Sequence, residues 1–329
     1  MNHVNTGKIV TFGEIFLTAT SIDFLRIQQS EALLFCFKGA EITVAASLSY
    51  FGIETAHVSC ISRDVLGEAA QAFIKKCGID VSYIYRNDLP LGFHLLETGV
   101  GIRSPKIANT KFKTAFQGIK SNCIDWDKIF INCATFYWAF STDFSEEVYD
   151  ALKTGFKKAA QANISIVVDA SLKSDIGVNH FLENNKENSI ELLKSCTIFI
   201  GGNEEINQLL GTNFSSDNDG YISACMALSN VCPGILKFFD KVSDGEGCYA
   251  RGWVAKKYIE TRKIHIGEIL DMHGTSEAFA AGLLYALRYY NYEHSLNFAN
   301  AAFAIKHTIT GDFNLSSVAD IVGVLDVSR

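Results

Sequence analysis

The stretch Asp271-Met-His-Gly-Thr-Ser-Glu-Ala-Phe-Ala-Ala-Gly282 decides how this chain is read. Gly274 marks a short turn, and the residues after it predict a helix over 275–290. The first N–H groups of a helix have no intrahelical partner, and with the helix dipole they suit a phosphate or a developing anion. A carboxylate at the mouth of such a helix can take a proton from a hydroxyl as a general base, which is one reading of Glu277. The other is a first-turn acid that only complements the dipole. Gly274, Thr275, Ser276 and Glu277 are the candidate catalytic group.

On either side, strands alternate with helices. Lys8-Ile-Val-Thr-Phe-Gly13 reads as a buried first strand, and Val44, Ala45, Leu48 and Phe51 fall at helical spacing before a stop at Gly52. Further strands are expected over 55–61, 128–134, 165–169, 197–201 and 234–239. Helices are expected over 41–51, 66–77, 146–162, 189–194, 204–210 and 296–308. Such alternation through short connections predicts an α/β fold, a three-layer α/β/α sandwich with a mostly parallel central sheet, in one domain over 1–329. Residues 14–37 and 83–116 instead alternate apolar and polar side chains, which predicts antiparallel strands forming a small lid sheet. Ligands of open α/β sheets gather at the carboxyl ends of strands, which directs attention to Glu14, Asp169, Asn203, Lys237 and the Gly274 turn.

Composition narrows the function. Of 329 residues 48% are hydrophobic and 20% charged, an ordinary globular balance, and a net charge of -7 argues against a nucleic-acid binder. Nine scattered cysteines without a Cys-x-x-Cys pair suggest free thiols in a reducing compartment, and the histidines show no zinc spacing with them. No metal ligands are assigned. The polar start and the lack of an apolar run of about 20 residues predict a soluble, cytoplasmic protein with no membrane partner. An open lid sheet predicts a homodimer formed through it.

The 271–282 stretch resembles the signature of the ribokinase family of carbohydrate kinases (phosphofructokinase-B type), Asp-Thr-x-Gly-Ala-Gly-Asp-x-Phe-x-x-Gly. Val10-Thr-Phe-Gly-Glu-Ile15 resembles the family's opening strand, and Gly39-Ala-Glu-Ile-Thr-Val-Ala45 its Gly-Gly-x-x-Asn-Val-Ala motif. Leu96-Glu-Thr-Gly99 and Lys306-His-Thr-Ile-Thr-Gly-Asp-Phe-Asn-Leu315 are most similar to 2-keto-3-deoxygluconate kinases. The resemblance implies a ribokinase-like fold, ATP and Mg2+ as cofactors, and a sugar or sugar acid phosphorylated on a hydroxyl. It places the sugar near Glu14, Lys38, Gly39, Thr43, Arg103, Lys111 and Lys173. It places the nucleotide near Asn203, Lys237, Gly245, Gly247, His273, Asn300 and His307.

Departures from the pattern fall at the chemistry. The family's aspartate base is Glu277, and the second glycine of its anion hole is Ser276. The added methylene moves the carboxylate by about one C–C bond, ~1.5 Å, and a misplacement of about 1 Å can cost about 100-fold in rate. Ile206 replaces the acid of the Asn-x-x-Glu motif, Lys38 replaces a glycine, Thr43 a sugar-binding asparagine, and the loop after Lys237 is longer than the family's Lys-x-Gly-x-x-Gly. The alternative function is therefore a catalytically impaired homologue that binds sugar, nucleotide or a protein partner in a regulatory role.

Overall fold

A computed structural model describes residues 6–109, 112–140, 145–171, 185–244 and 246–327. β1 (Lys8–Phe12) is buried at every position, as a strand must be when both faces of its sheet are covered. It lies inside a ten-stranded sheet, between β4 (Thr55–Ser62) and β8 (Cys133–Ala139). The parallel ladder runs outward from β4 to β5 (Ile84–Asn87). On the other side it runs from β8 through β9 (Ser165–Asp169) and β10 (Ile198–Ile200) to β11 (Lys237–Ser243). There the direction reverses: β12 (Gly247–Val254) returns antiparallel to β11 and pairs with β13 (Lys257–Glu260) and β14 (Ile264–His265).

The period of two along each strand divides the core. Val10, Phe136, Trp138, Ile166, Val168 and Phe199 face one way and pack with α3 (Trp126–Ile129), α4 (Glu146–Gln161), α5 (Lys186–Leu193), α6 (Asn203–Leu210) and α7 (Asn218–Val231). Ile9, Tyr137, Val167 and Ile198 face the other way, against α1 (Ala40–Tyr50), α8 (Thr275–Ala286), α9 (Tyr292–Lys306) and α10 (Val318–Val327). This is the expected three-layer sandwich. A third cluster joins Ile42 and Ala45 of α1 and Ile74 of α2 (Val65–Lys76) to Ile15 and Leu17 under the small sheet.

That small sheet has the order β3 (Leu33–Lys38), β2 (Phe16–Ser21), β6 (Gly92–Glu97) and β7 (Lys106–Asn109). Its outer pairs are antiparallel, but β2 and β6 run parallel. The chain passes through α1, β4, α2 and β5 between them, a crossover of the kind parallel neighbours require. Residues 84–87 belong to the large sheet, so the alternation over 83–116 spans a strand of the body as well as two of the small sheet.

Two other expectations are corrected. The strand expected over 128–134 is in part α3, where the Asp125 side chain accepts from the Lys128 N–H and caps a short turn; β8 starts only at Cys133. The strand expected to end at Phe239 continues through Asp240 and Lys241, because Asp240 lies opposite Arg251 and the two pair across the ladder. Charges that looked like the end of a strand neutralise one another inside it. All nine cysteines are free. Among the described residues no helix is long and apolar enough to cross a membrane.

Candidate active site

Gly274 caps α8 in the left-handed conformation, φ 74°. A Cβ on it would lie 1.8 Å from the backbone oxygen of Asp312, so the position demands glycine both for conformation and for space. Thr275 follows, buried, with its hydroxyl donating to the Met272 carbonyl at 2.9 Å. Ser276 lies in the first turn of the helix with no positive φ, so its Cβ carries no backbone strain there. The turn is clamped by Asp271. One of its carboxylate oxygens accepts from the His273 N–H at 2.9 Å and meets His273 Nδ1 at 2.7 Å; the other accepts from the Gly311 N–H at 2.7 Å. The signature segment and the C-terminal segment 311–314 are thereby held together at the helix mouth.

Glu277 is half-buried in this mouth, and burial pushes its carboxyl up to about 7, with Asp312 and Asp169 pushing the same way and Lys241 opposing. Asp169, at the carboxyl end of β9, is wholly buried; it accepts from the Ser171 N–H at 2.9 Å, the Ser171 hydroxyl at 2.6 Å and the Tyr137 hydroxyl at 3.0 Å. Lys241 donates to the Ser171 hydroxyl at 2.7 Å and carbonyl at 3.1 Å, and its Nζ lies 6.0 Å from the centre of the Phe279 ring on α8. The carboxylates of Asp169 and Asp312 and the Lys241 ammonium thus all act on Glu277 at the start of α8. Lys241, Tyr137 and Asp312 were not singled out from sequence. Lys241 was hidden in the stretch after Phe239, and the distant partners of Asp312 leave no local pattern.

On the small-sheet side, Glu14 is buried at the end of β1 and burial raises its carboxyl to about 7. Gly92 on β6 leaves room for it, since a Cβ there would approach Glu14 Oε1 to 2.7 Å. Gly39 likewise lets α1 start against the Glu14 carbonyl, 2.4 Å from where its Cβ would be. Lys38 ends β3 and pairs with Asp312 at 2.7 Å. Thr43 and Arg103 are spent within the fold: the Thr43 hydroxyl donates to the Gly39 carbonyl one turn back at 2.9 Å, and the Arg103 guanidinium donates to the Thr98 and Phe24 carbonyls in the loops that follow β6 and β2.

The residues expected beside a nucleotide are dispersed. Lys237 opens β11 at the amino edge of the sheet, with its Nζ 5.8 Å from the Tyr292 ring centre. Lys241, four residues further along the same strand, is the lysine that reaches the helix mouth, because the longer loop of the sequence is in fact extra strand. Asn203 is buried in a network, accepting from Arg251 at 3.0 Å and donating to the Ser215 carbonyl at 2.8 Å. Asn300 donates to Thr261 at 3.1 Å and ties α9 to the β12 edge. His307 is buried, with Nδ1 2.8 Å from the Phe303 carbonyl, and its own carbonyl accepts from the Leu270 N–H at 2.9 Å. Gly247 opens β12 at the hairpin, and the His273 ring is exposed beside Asp271. Lys111, Lys173 and Gly245 lie outside the described residues.

Ile206 stands where the Asn-x-x-Glu motif has its acid, with Glu205 just before it on α6. Ile206 is fully buried, and Glu205 accepts from the Gly202 N–H at 2.9 Å, with burial and the neighbouring Asp240 raising its carboxyl. Among the described residues no three acid, His or Cys side chains converge on one point. Mg2+ in phosphoryl transfer takes one or two carboxylates with phosphates and water; Asp169 is wholly buried with its oxygens engaged by Ser171 and Tyr137, so it offers no open ligand there.

Residues 8–316 match the family of pfkB family carbohydrate kinases. The chain is 24% identical to the 2-dehydro-3-deoxygalactonokinase of Haloferax volcanii over 330 residues, 97% of each chain. It superposes with a TM-score of 0.89 on the 2-dehydro-3-deoxygluconokinase of Thermotoga maritima, at 24% identity over 97% of this chain and 98% of that one. A candidate ribokinase II from Escherichia coli, solved with ATP and Mg2+, matches with a TM-score of 0.82 and 16% identity over 98% and 99% of the two chains. The fold is the ribokinase-like one.

Proposed function

We propose that this chain, which belongs to the pfkB family of carbohydrate kinases, phosphorylates a hydroxyl of a 2-keto-3-deoxy sugar acid from ATP, with Glu277 as general base. The observation that carries this reading is the Glu277 carboxyl, set at the mouth of α8 and raised by burial to about 7, where a base can both hold and release a proton near neutral pH. The substrate hydroxyl gives its proton to Glu277 as its oxygen forms the new bond to the γ-phosphorus, and the bond to the β-phosphate oxygen breaks. The first-turn N–H groups of Thr275 and Ser276 face the charge of the transferring group, while that of Glu277 lies on its own carboxylate. Gly274 and Asp271 hold that turn in place. Mg2+, when bound, neutralises charge on the phosphates. The sugar lies under the small sheet beside Glu14, Lys38 and Gly39, and the nucleotide beside the β11–β12 hairpin, His273 and His307.

A second reading, a homologue that binds without turnover, draws on Ile206 and on the capping role of Glu205. The test is ATP turnover with Mg2+ across a panel of sugars that includes 2-keto-3-deoxygluconate, with the Glu277→Gln variant alongside. Turnover abolished by the substitution supports the kinase. Absence of turnover with any sugar, while calorimetry registers sugar or nucleotide binding, favours the second reading.

A further inference from the structure

Lys38 and Asp312 bring two parts of the molecule to one point. Lys38 is the last residue of a small-sheet strand, and Asp312 belongs to the segment whose backbone lies on Gly274. Their side chains meet at 2.7 Å and each is only 16% exposed. The ammonium of Lys38 is thus delivered to the mouth of α8 rather than to solvent.

The surroundings describe what the point is built to hold. Lys306 and His273 are in electrostatic contact with both members of the pair, His94 with Lys38, and Glu277 with Asp312. The Asp312 carboxylate sits there as an oxyanion supplied by the protein itself. We infer that Lys38 is a receptor for an oxyanion of the substrates and that Asp312 is its placeholder, displaced when that oxyanion arrives. This rests on the phosphotransfer reading. The arriving oxyanion is a sugar-acid carboxylate or a phosphate oxygen of the nucleotide. Either one replaces one charge-assisted hydrogen bond to Lys38 by another, so the exchange is nearly balanced. A neutral sugar offers the ammonium only hydroxyl acceptors, which are weaker than a carboxylate, and leaves the ion pair closed. Lys38 therefore selects anionic substrates, and the same exchange reports occupancy from the small sheet to the catalytic helix.

The test is calorimetric titration of the full-length protein, and of its Lys38→Met and Asp312→Asn variants, with three ligands separately: 2-keto-3-deoxygluconate, ATP with Mg2+, and glucose as a neutral sugar. Lys38→Met is expected to weaken one anionic ligand about tenfold or more, the loss of one charge-assisted contact. Asp312→Asn is expected to tighten that same ligand, because the competing carboxylate is gone, and neither variant should change the response to glucose. The ligand affected identifies the oxyanion as carboxylate or phosphate. Tighter binding cannot result from a damaged fold, so Asp312→Asn decides the matter even if Lys38→Met folds poorly. Unchanged binding of both anions in Lys38→Met, or weakened binding in Asp312→Asn, overturns the inference while leaving the kinase reading intact. Wild-type protein that binds neither anion overturns both.

Discussion

The backbone carbonyl of Asp312 lies against Gly274 so closely that a methyl group on that glycine would sit 1.8 Å from the oxygen. One contact thus fixes the distance between the C-terminal segment and the helix whose N–H groups face the reaction. Gly274→Ala must either push segment 311–313 away or rotate the first turn of α8, and it also places alanine at a φ of 74°. A stability loss of about 1–3 kcal/mol is expected from the strained backbone. Turnover is expected to fall about 100-fold from displaced geometry. Thermal melting and steady-state kinetics on the purified variant check both, and an unchanged kcat would contradict the placement of the anion hole.

The raised Glu277 carboxyl has consequences for rate and stability that run in opposite directions. The base works ionised, so turnover is expected to climb as pH rises through about 7. The folded protein binds this proton more tightly than the unfolded chain between about 4.5 and 7. Its stability therefore falls as pH rises through that window. Glutamine cannot ionise. Glu277→Gln is expected to lose about 10²–10⁴-fold in turnover yet to resist urea better than the wild type at pH 8. Paired denaturation curves at pH 5 and pH 8 measure this, and a variant less stable than wild type at pH 8 would count against a desolvated carboxylate.

How far the sequence could be read depended on whether partners were local. The alternation of strands and helices, the glycine turn and the acid three residues after it are all written within short windows, and each appears in the structure near its expected place. The continuation of β11 was invisible because Asp240 is neutralised by Arg251, eleven residues on and across a ladder. The same continuation leaves Lys237 at the far edge of the sheet and brings Lys241 within electrostatic reach of Glu277. Asn203 and Arg103 carry the right chemistry for ligand contact, but their partners, brought in by the tertiary fold, turn that chemistry inward. Residue type and spacing announce what a side chain can do; only the long-range contacts decide what it is free to do.

Edge strand β3 presents Leu34 and Phe35, 59% and 65% exposed, on its two faces. An apolar edge with open backbone groups is a template for pairing, which supports self-association through the small sheet. Leu34→Glu with Phe35→Lys should convert a dimer to a monomer in sedimentation at micromolar concentration. A wild-type monomer under those conditions removes this proposal, and a dimer untouched by the double substitution moves the interface elsewhere.

Arg251 is 4% exposed at its side chain and binds Asp240 at 3.0 Å, the Asn203 oxygen at 3.0 Å and the Ser216 carbonyl at 3.2 Å, with its guanidinium 4.3 Å from the Tyr221 ring centre. The arrangement joins the β11–β12 ladder to the first turn of α6 and to the loop before α7. Arg251→Met removes the cation while Asp240 stays buried, beside a Glu205 carboxyl that Asp240 already perturbs. Breaking a buried pair from one side costs about 3–5 kcal/mol, because the remaining charge keeps its desolvation without its compensation. Removing both charges avoids that, so Asp240→Leu combined with Arg251→Met is expected to recover most of the lost stability. The two singles and the double, compared by urea denaturation, separate the worth of the pair from the penalty of a stranded charge. If the double is no better than Arg251→Met alone, the guanidinium stabilises chiefly through Asn203, Ser216 and Tyr221, and α6 is held by those contacts rather than by the ion pair.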